Sequence, residues 1–560
     1  MPQILNRSAN VYDAVIVGSG CTGGVAAKQL TQAGLKVCVL EAGGTVTEAD
    51  FSEHIQSYQQ KYRGVHPTLS RNQPIQRQIY ACRESNKDWF VDDIENPYTY
   101  SKDEPFQWIR MRVLGGRSLS WGRQSYRHSD LDFKAASRDG YGMDWPISYK
   151  ELIPYYEKVE RDIGISGLAE NLPQLPDSDF LPAMGFSCGE KLLRERVKAK
   201  MGRVVSVGRV AILTKEHNGR AACHYCGPCE QGCITYSYYS SPFTVLKDAA
   251  ATGNLTLVTD AVASHVVMDK SSGRATGVAY IDRNTREPKE VRGKVVLLCA
   301  STLESTRLLL NSAPGGLANS SGALGHYLMD HVYHGYTTAD FPELPRGQAW
   351  TGPPKRPNGL YIPRFRNLDR THTNGLIRGY GYQGGVWPGY HFGAPGFGKS
   401  FKRAIRTDAS WSANLHGFVE CLPRYENHVS IDPEVTDAWG IPALRISMTW
   451  GENELGLWHD AQEQASTMLE AAGAKNIVNR GSPSIPGSGI HEMGTARMGA
   501  NPKTSVLDKW NQTHDVKNLF VTDGAAFTSV GCQNPTLTMM ALTTRCCERI
   551  VERGKRGEFA

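Results

Sequence analysis

No apolar run in this 560-residue chain approaches the length of about eighteen residues that a membrane-crossing helix needs. The opening stretch, MPQILNRSANVYD, lacks the apolar core of a secretory signal. The expectation from the residues alone is therefore a chain kept in the cytoplasm unless a partner carries it out. Charge of one sign is scarce: 62 Lys and Arg against 56 Asp and Glu leave a net +6. That surplus is too mild to point to nucleic acid, and no basic tract is interleaved with aromatics. Internal repeats and low-complexity tracts are also missing. The 13 cysteines do not form an extracellular disulfide framework, since most are scattered through apolar strands and helices. What is present, 40% hydrophobic and 21% charged residues, suits a folded enzyme of two or more domains.

The chain is organised around Asp13 to Gly44, DAVIVGSGCTGGVAAKQLTQAGLKVCVLEAGG. Asp13–Val17 is a β run, Val25–Ala33 has helical spacing, Gly34 stops it, and Lys36–Leu40 is a second strand. Between them Gly18-Ser19-Gly20-Cys21-Thr22-Gly23 matches G-x-G-x-x-G. Gly18 suits the tight turn, Gly20 close approach of backbone to a pyrophosphate, and Gly23 helix–strand contact. The helix N-terminus offers unpaired N–H groups to phosphates, and Glu41 stands where an acid binds ribose hydroxyls. The alternative is a glycine turn that serves packing only. Strand, helix and acid together favour an ADP-containing dinucleotide, and the ending Glu41-Ala42-Gly43-Gly44 resembles FAD proteins more than nicotinamide enzymes.

Residues 45–105 read as long loops and short helices over the nucleotide, and Gly115-Gly116 as a backbone approach to something flat or charged. Tyr149–Ile163 has the pattern of an amphipathic helix. Residues 255–300 read as a meander of hairpins. Ser301 would cap a helix through Leu310, with Glu304 at capping-box spacing. Residues 335–480 suggest an antiparallel sheet with long loops. Near the end Val516–Asp523 reads as a strand, and Asn534-Pro535-Thr536 opens a helix over Leu537–Arg553. The fold class expected is α/β: a discontinuous Rossmann-like domain (1–145, 210–334, 481–560) and an α+β substrate domain on an antiparallel sheet (146–209, 335–480).

These motifs, in this order, resemble the glucose–methanol–choline (GMC) oxidoreductases. The resemblance rests on Gly18–Glu41, Gly115-Gly116, Ala300–Leu310, Leu328-Met329-Asp330-His331, His491-Glu492-Met493-Gly494-Thr495, Asp523-Gly524 and Asn534-Pro535-Thr536. Only 45–105 and 335–480 remain unassigned. The resemblance implies FAD chemistry in which an alcohol loses hydride to flavin N5. His491 would hold or take the hydroxyl proton, and Asn534 would orient the same oxygen. The chemistry is sound independently, because hydride leaves readily only as alkoxide character develops, and histidine titrates nearest neutrality. The alternative for an isolated histidine is a turn cap in a Gly-rich loop. By the same matching Asp523, Gly524, Pro535 and Thr536 would meet the cofactor, and Val262 would touch adenine through its backbone. Ser120 stands where some relatives carry a flavin-linking histidine, so FAD is expected to be non-covalent. Arg117 departs from the small residue usual after the glycine pair, and the sequence offers no account of it.

Cys223, Cys226, Cys229 and Cys233, in CHYCGPCEQGC, have the C-x2-C-x2-C-x3-C spacing of an iron–sulfur run. Zinc more often takes two pairs across a longer loop, and disulfides or free thiols are the third reading. Ile234 replaces the ferredoxin proline, which leaves a 3Fe-4S or a 4Fe-4S cluster open. Within the family this resembles the cluster-bearing sugar dehydrogenases, above all the glucoside 3-dehydrogenase catalytic subunit. That likeness implies oxidation of a ring hydroxyl at C3, electrons relayed to a cytochrome c-type acceptor, and periplasmic placement by co-export with a small signal-bearing subunit. Two rivals stand beside it: a flavin oxidase using O₂ with structural zinc, and a non-catalytic flavin-binding electron-transfer subunit. Tyr- and Trp-rich runs in 379–393 and 410–418 could stack on sugar faces or fill the core.

Overall fold

The structure, a computed structural model, describes residues 6–52, 55, 58–60, 68–333, 335–344, 356–388, 395–407 and 410–559. Its first layer is a seven-stranded sheet. The strand Asn6–Val17 lies between Val37–Leu40 and Pro288–Leu298 and is parallel to both. Ala14, Val15, Ile16 and Val37 to Leu40 are almost fully buried. Continuous apolar runs, not alternation, are what a parallel sheet covered on both faces requires. Each such Val or Leu contributes about 1.5–3 kcal/mol by burial. Leu255–Val258 adds a parallel edge strand beside Val37–Leu40. It is not part of a meander, as the sequence suggested; the antiparallel hairpins begin only at Ala261–Asp269 and Arg274–Asp282. Pro288–Leu298 pairs through its first half with the second hairpin strand and through its last three residues with Leu519–Val521. The last strand is thus shorter than Val516–Asp523.

The glycine turn is closed by contacts that leave no room for side chains. A Cβ on Gly18, whose φ is +96°, would strike the Cys299 carbonyl, and one on Gly23 would strike the Gly18 carbonyl. The helix that follows runs from Cys21 to Gln32, four residues earlier than its apolar spacing predicts, with Gly20 as its cap. It packs against the C-terminal helix Thr536–Lys555, as does Tyr149–Ile163. In that last helix the Ser148 side chain accepts from the Glu151 N–H in a capping box.

The second layer is a six-stranded antiparallel sheet in the order Lys475–Arg480, Tyr336–Phe341, Trp411–Val419, Tyr380–Pro388, Leu360–Ile362, Ser206–Val207. Helices Glu452–Ala471 and Cys188–Met201 cover it. His428–Thr436 and Pro442–Ser447 stand apart as a hairpin that takes Thr99–Tyr100 as a third strand. Tyr380, Tyr382 and Trp411 are buried to within 1% and fill the core between sheet and helices. Those aromatics are core residues, not a sugar platform; residues 389–394 of the same run lie outside the described residues. Among the described residues no helix is long and apolar enough to cross a membrane.

Candidate active site

Between the two sheets lies a cavity of about 500 Å³. Its wall includes Gly18, Gly20, Glu41, Gly116, Ser120, Val262, Asp523, Gly524, Pro535 and Thr536, together with His491 and Asn534. Of the residues expected at a cofactor only Gly23 and Gly115 do not line it, because they serve packing: a Cβ on Gly115 would collide with Pro242. Gly20 behaves differently. A Cβ there would have only the Gly115 carbonyl as neighbour, at 4.0 Å, so that face of the turn is open.

Glu41 ends its strand with its carboxylate held by the Ser19 hydroxyl at 2.5 Å and the Gly43 N–H at 2.8 Å. Burial raises its pKa against those donors and Arg112. Val262 sits in the first hairpin strand and packs with Trp439 and Ile441. The Ser120 hydroxyl donates to Met111 Sδ. Asp523 accepts from Ser305 Oγ at 2.5 Å and from the Ala525 N–H at 3.0 Å, and burial pushes it up to about 6. Glu492, also in the wall, keeps Oε1 buried with no hydrogen-bond partner among the described residues. An open glycine face over a helix N-terminus, an acid at the next strand end and an unused carboxylate oxygen together fit a dinucleotide with phosphates and hydroxyls.

At the other part of the wall the two residues expected to carry the chemistry converge. His491 Nε2 lies 3.2 Å from Asn534 Nδ2, which sits just before the C-terminal helix. Gln383, on the six-stranded sheet, donates to Asn534 Oδ1 at 2.8 Å and so turns the amide nitrogen toward the histidine. His491 Nδ1 is 2.9 Å from His331 Nδ1. Both backbone N–H groups of these histidines donate to one oxygen of Asp330, at 2.8 and 3.0 Å, while Gly487 and Gly489 donate to the other. Burial and the neighbouring Glu492 push Asp330 up to about 7 against these donors. Burial, with lesser effects of His331 and the Arg117 charge, holds His491 well below the usual histidine range.

Arg117, unexplained by the sequence, spans the site: it pairs with Glu492 at 2.8 Å and donates to Ser301 Oγ at 2.7 Å and to the Ile490 carbonyl at 3.3 Å. The Ser301 side chain therefore does not cap its helix, contrary to expectation; its φ is +80° and the helix has no side-chain cap. Glu304 does not close a capping box either, but pairs with Arg112 at 3.1 Å. Gln383 carried no local signal; His331 lay in a motif of the resemblance and Arg117 stood out as a departure from it, but neither was assigned a role, since each meets its partner through tertiary contact.

Cys223, Cys226, Cys229 and Cys233 all line a second, small cavity, and none of the four is in a disulfide. Glycines with positive φ at 227 and 232 fold the loop back on itself. As arranged here, no group of three or more His, Cys, Asp or Glu among the described residues could hold a metal ion. The loop adjoins the large cavity: Glu230 lines that cavity, and Arg123 in the same wall donates to the Cys229 carbonyl at 3.2 Å.

Family models described as GMC oxidoreductase match residues 12–333 and 423–543. Among curated proteins, 2-methyl-1,2-propanediol dehydrogenase of Mycolicibacterium austroafricanum is 32% identical over 98% of this chain and 97% of its own. The fructose dehydrogenase large subunit of Gluconobacter japonicus is 27% identical over 97% and 98%. Among solved structures, pyridoxine 4-oxidase from Mesorbium loti superposes with a TM-score of 0.61 at 17% identity, over 96% of this chain and 99% of that one. The last likeness concerns the fold.

Proposed function

The chain belongs to the GMC oxidoreductase family, and from that premise we propose that it is an FAD-dependent dehydrogenase that oxidises a secondary ring hydroxyl, at C3, of a glucoside or related sugar to the ketone. The convergence of His491 Nε2 and Asn534 Nδ2 on one wall of the cofactor-sized cavity supports the oxidation of an alcohol; the sugar ring and C3 rest on the likeness of the cysteine-loop sequence to glucoside 3-dehydrogenases. When bound, FAD supplies the hydride acceptor. Gly18, Gly20 and Glu41 would hold its ADP half, and Gly116, Asp523 and Gly524 its flavin side. The Asn534 N–H that faces His491 Nε2 here would turn to the substrate oxygen and leave that nitrogen open to the hydroxyl. His491 accepts the hydroxyl proton at Nε2, so that charge builds on an oxygen already hydrogen-bonded. Burial keeps His491 neutral and ready to accept. Phe418 packs edge-on against His331 and tilted against His491 and lines the same cavity, an apolar neighbour to the proton's path.

The four-cysteine loop is proposed to close around an iron–sulfur cluster, three-iron or four-iron. Its spacing and the shared cavity support that reading; the thiols would have to draw closer than they lie here. A cluster would accept electrons singly. The acceptor proposed is a cytochrome c-type protein, with a small signal-bearing subunit and periplasmic placement by co-export as parts of the same proposal. That a relative is itself named a large subunit supports a multi-subunit assembly. The 32% identical relative named for a propanediol supports a second reading, a small diol as substrate.

Anaerobic incubation with methyl glucosides and small diols, each with a dye acceptor, separates the two. A 3-keto glycoside identified by NMR supports the first reading, whereas oxidation of diols alone overturns it.

A further inference from the structure

The hydrogen bonds behind His491 run in one direction, and their far end is unambiguous. His331 is fully buried, and its Nε2 lies 2.7 Å from the Gly531 carbonyl. A carbonyl only accepts, so His331 Nε2 carries a proton. Burial pulls His331 down to about 4, so the ring is neutral and holds no second proton. Its Nδ1 is then a lone pair, and 2.9 Å away lies His491 Nδ1. Two lone pairs at that distance would repel, so His491 Nδ1 carries the proton and His491 Nε2 is bare. The near end agrees. With Gln383 donating to Asn534 Oδ1, the Asn534 amide presents an N–H, not an oxygen, to His491 Nε2. Reversing any one member would set two donors or two acceptors against each other elsewhere.

We propose that His331 is a positioning residue that sets the tautomer of the catalytic base: the Gly531 carbonyl fixes the His331 proton on Nε2, which obliges His491 to hold its own proton on Nδ1 and to present a bare Nε2 to the substrate hydroxyl. The inference rests on the reading of His491 as base. Asp330 keeps the pair at the required separation by accepting both backbone N–H groups on a single oxygen. A neutral histidine serves as base only through its unprotonated nitrogen, and the wrong tautomer would turn a donor toward the hydroxyl. His331 thus acts on the proton transfer without touching the substrate.

The test is a long-range proton–nitrogen NMR spectrum of histidine-labelled holoenzyme, with His491 assigned by its loss in His491→Ala. The expected result is His491 protonated at Nδ1; a proton on Nε2 overturns the proposal. Two variants add a kinetic reading. His331→Leu keeps the bulk without an acceptor and is expected to lose about a hundredfold in the rate of flavin reduction, with KM little changed. His331→Asn places an amide oxygen near the old Nδ1 position and is expected to recover most of that loss. Equal losses in both variants, with the His491 tautomer unchanged, would show a merely structural role and overturn the proposal. If instead His491→Ala reduces flavin at the wild-type rate, the base assignment fails even where the spectrum shows Nδ1–H.

Discussion

His491 must be neutral to take a proton, and burial with the Arg117 charge holds its pKa below the ordinary value of 6.5. Activity should therefore persist below pH 6.5 and be lost only as pH falls through the depressed value. The acid limb of kcat/KM against pH checks this. Arg117→Met removes one cause of the depression, so that limb should move upward; a downward shift would contradict the assignment. Asp330→Asn replaces one acceptor oxygen by an NH₂ that faces N–H donors. It should destabilise the fold by roughly 1–3 kcal/mol in urea titration and slow flavin reduction by misplacing His491. The sequence singled out His491 and Asn534 because each sits in a short motif with a chemical reason, and the structure brings them within 3.2 Å. Gln383, the partners of Arg117 and the role of His331, itself within the motif ending at that residue, were not legible, because bonds such as the one between His331 and His491 join residues 160 positions apart. No local spacing encodes such a meeting.

At the scale of elements, the glycine turn separates two roles that one motif conceals. Gly23→Ala would push a methyl into the Gly18 carbonyl, and overpacking of this kind costs about 1–3 kcal/mol. Gly20→Ala meets only one protein atom, at 4.0 Å. It should melt close to wild type yet bind less FAD, whereas Gly23→Ala should lose both stability and flavin. Thermal melts with flavin content per chain distinguish them. The strand–turn–helix unit was readable because its apolar period and its glycines agree. The meander from residue 255 was misread because an edge strand of a parallel sheet and a hairpin strand share the same β-rich composition. The tyrosines and tryptophan of the second sheet were ambiguous for a similar reason, since an aromatic in an alternating strand can face either ligand or core. Packing put Tyr380, Tyr382 and Trp411 in the core, while Trp387 is 42% exposed and Phe418 lines the cavity.

For the whole molecule, the seven-stranded sheet supplies the cofactor side of the cavity. The six-stranded sheet supplies Gln383 and Phe418, so the site exists only where the two meet. The cysteine loop lies beside that meeting. If it binds a cluster, anaerobically purified protein should carry three or four iron and sulfide per flavin, as the 3Fe-4S and 4Fe-4S readings require. Cys226→Ser should remove them while leaving flavin reduction by substrate intact. Zinc, or flavin bands alone, would leave the oxidase as the better account.

The central claim is that His491 takes a proton from an alcohol as flavin is reduced, and a single anaerobic turnover tests it most directly. Wild-type protein mixed with a methyl glucoside in a stopped-flow instrument should bleach its flavin absorbance. His491→Ala should do so about 10²–10⁴-fold more slowly while still binding FAD. Bleaching at the same rate in both proteins would contradict the claim, and so would flavin that no alcohol reduces.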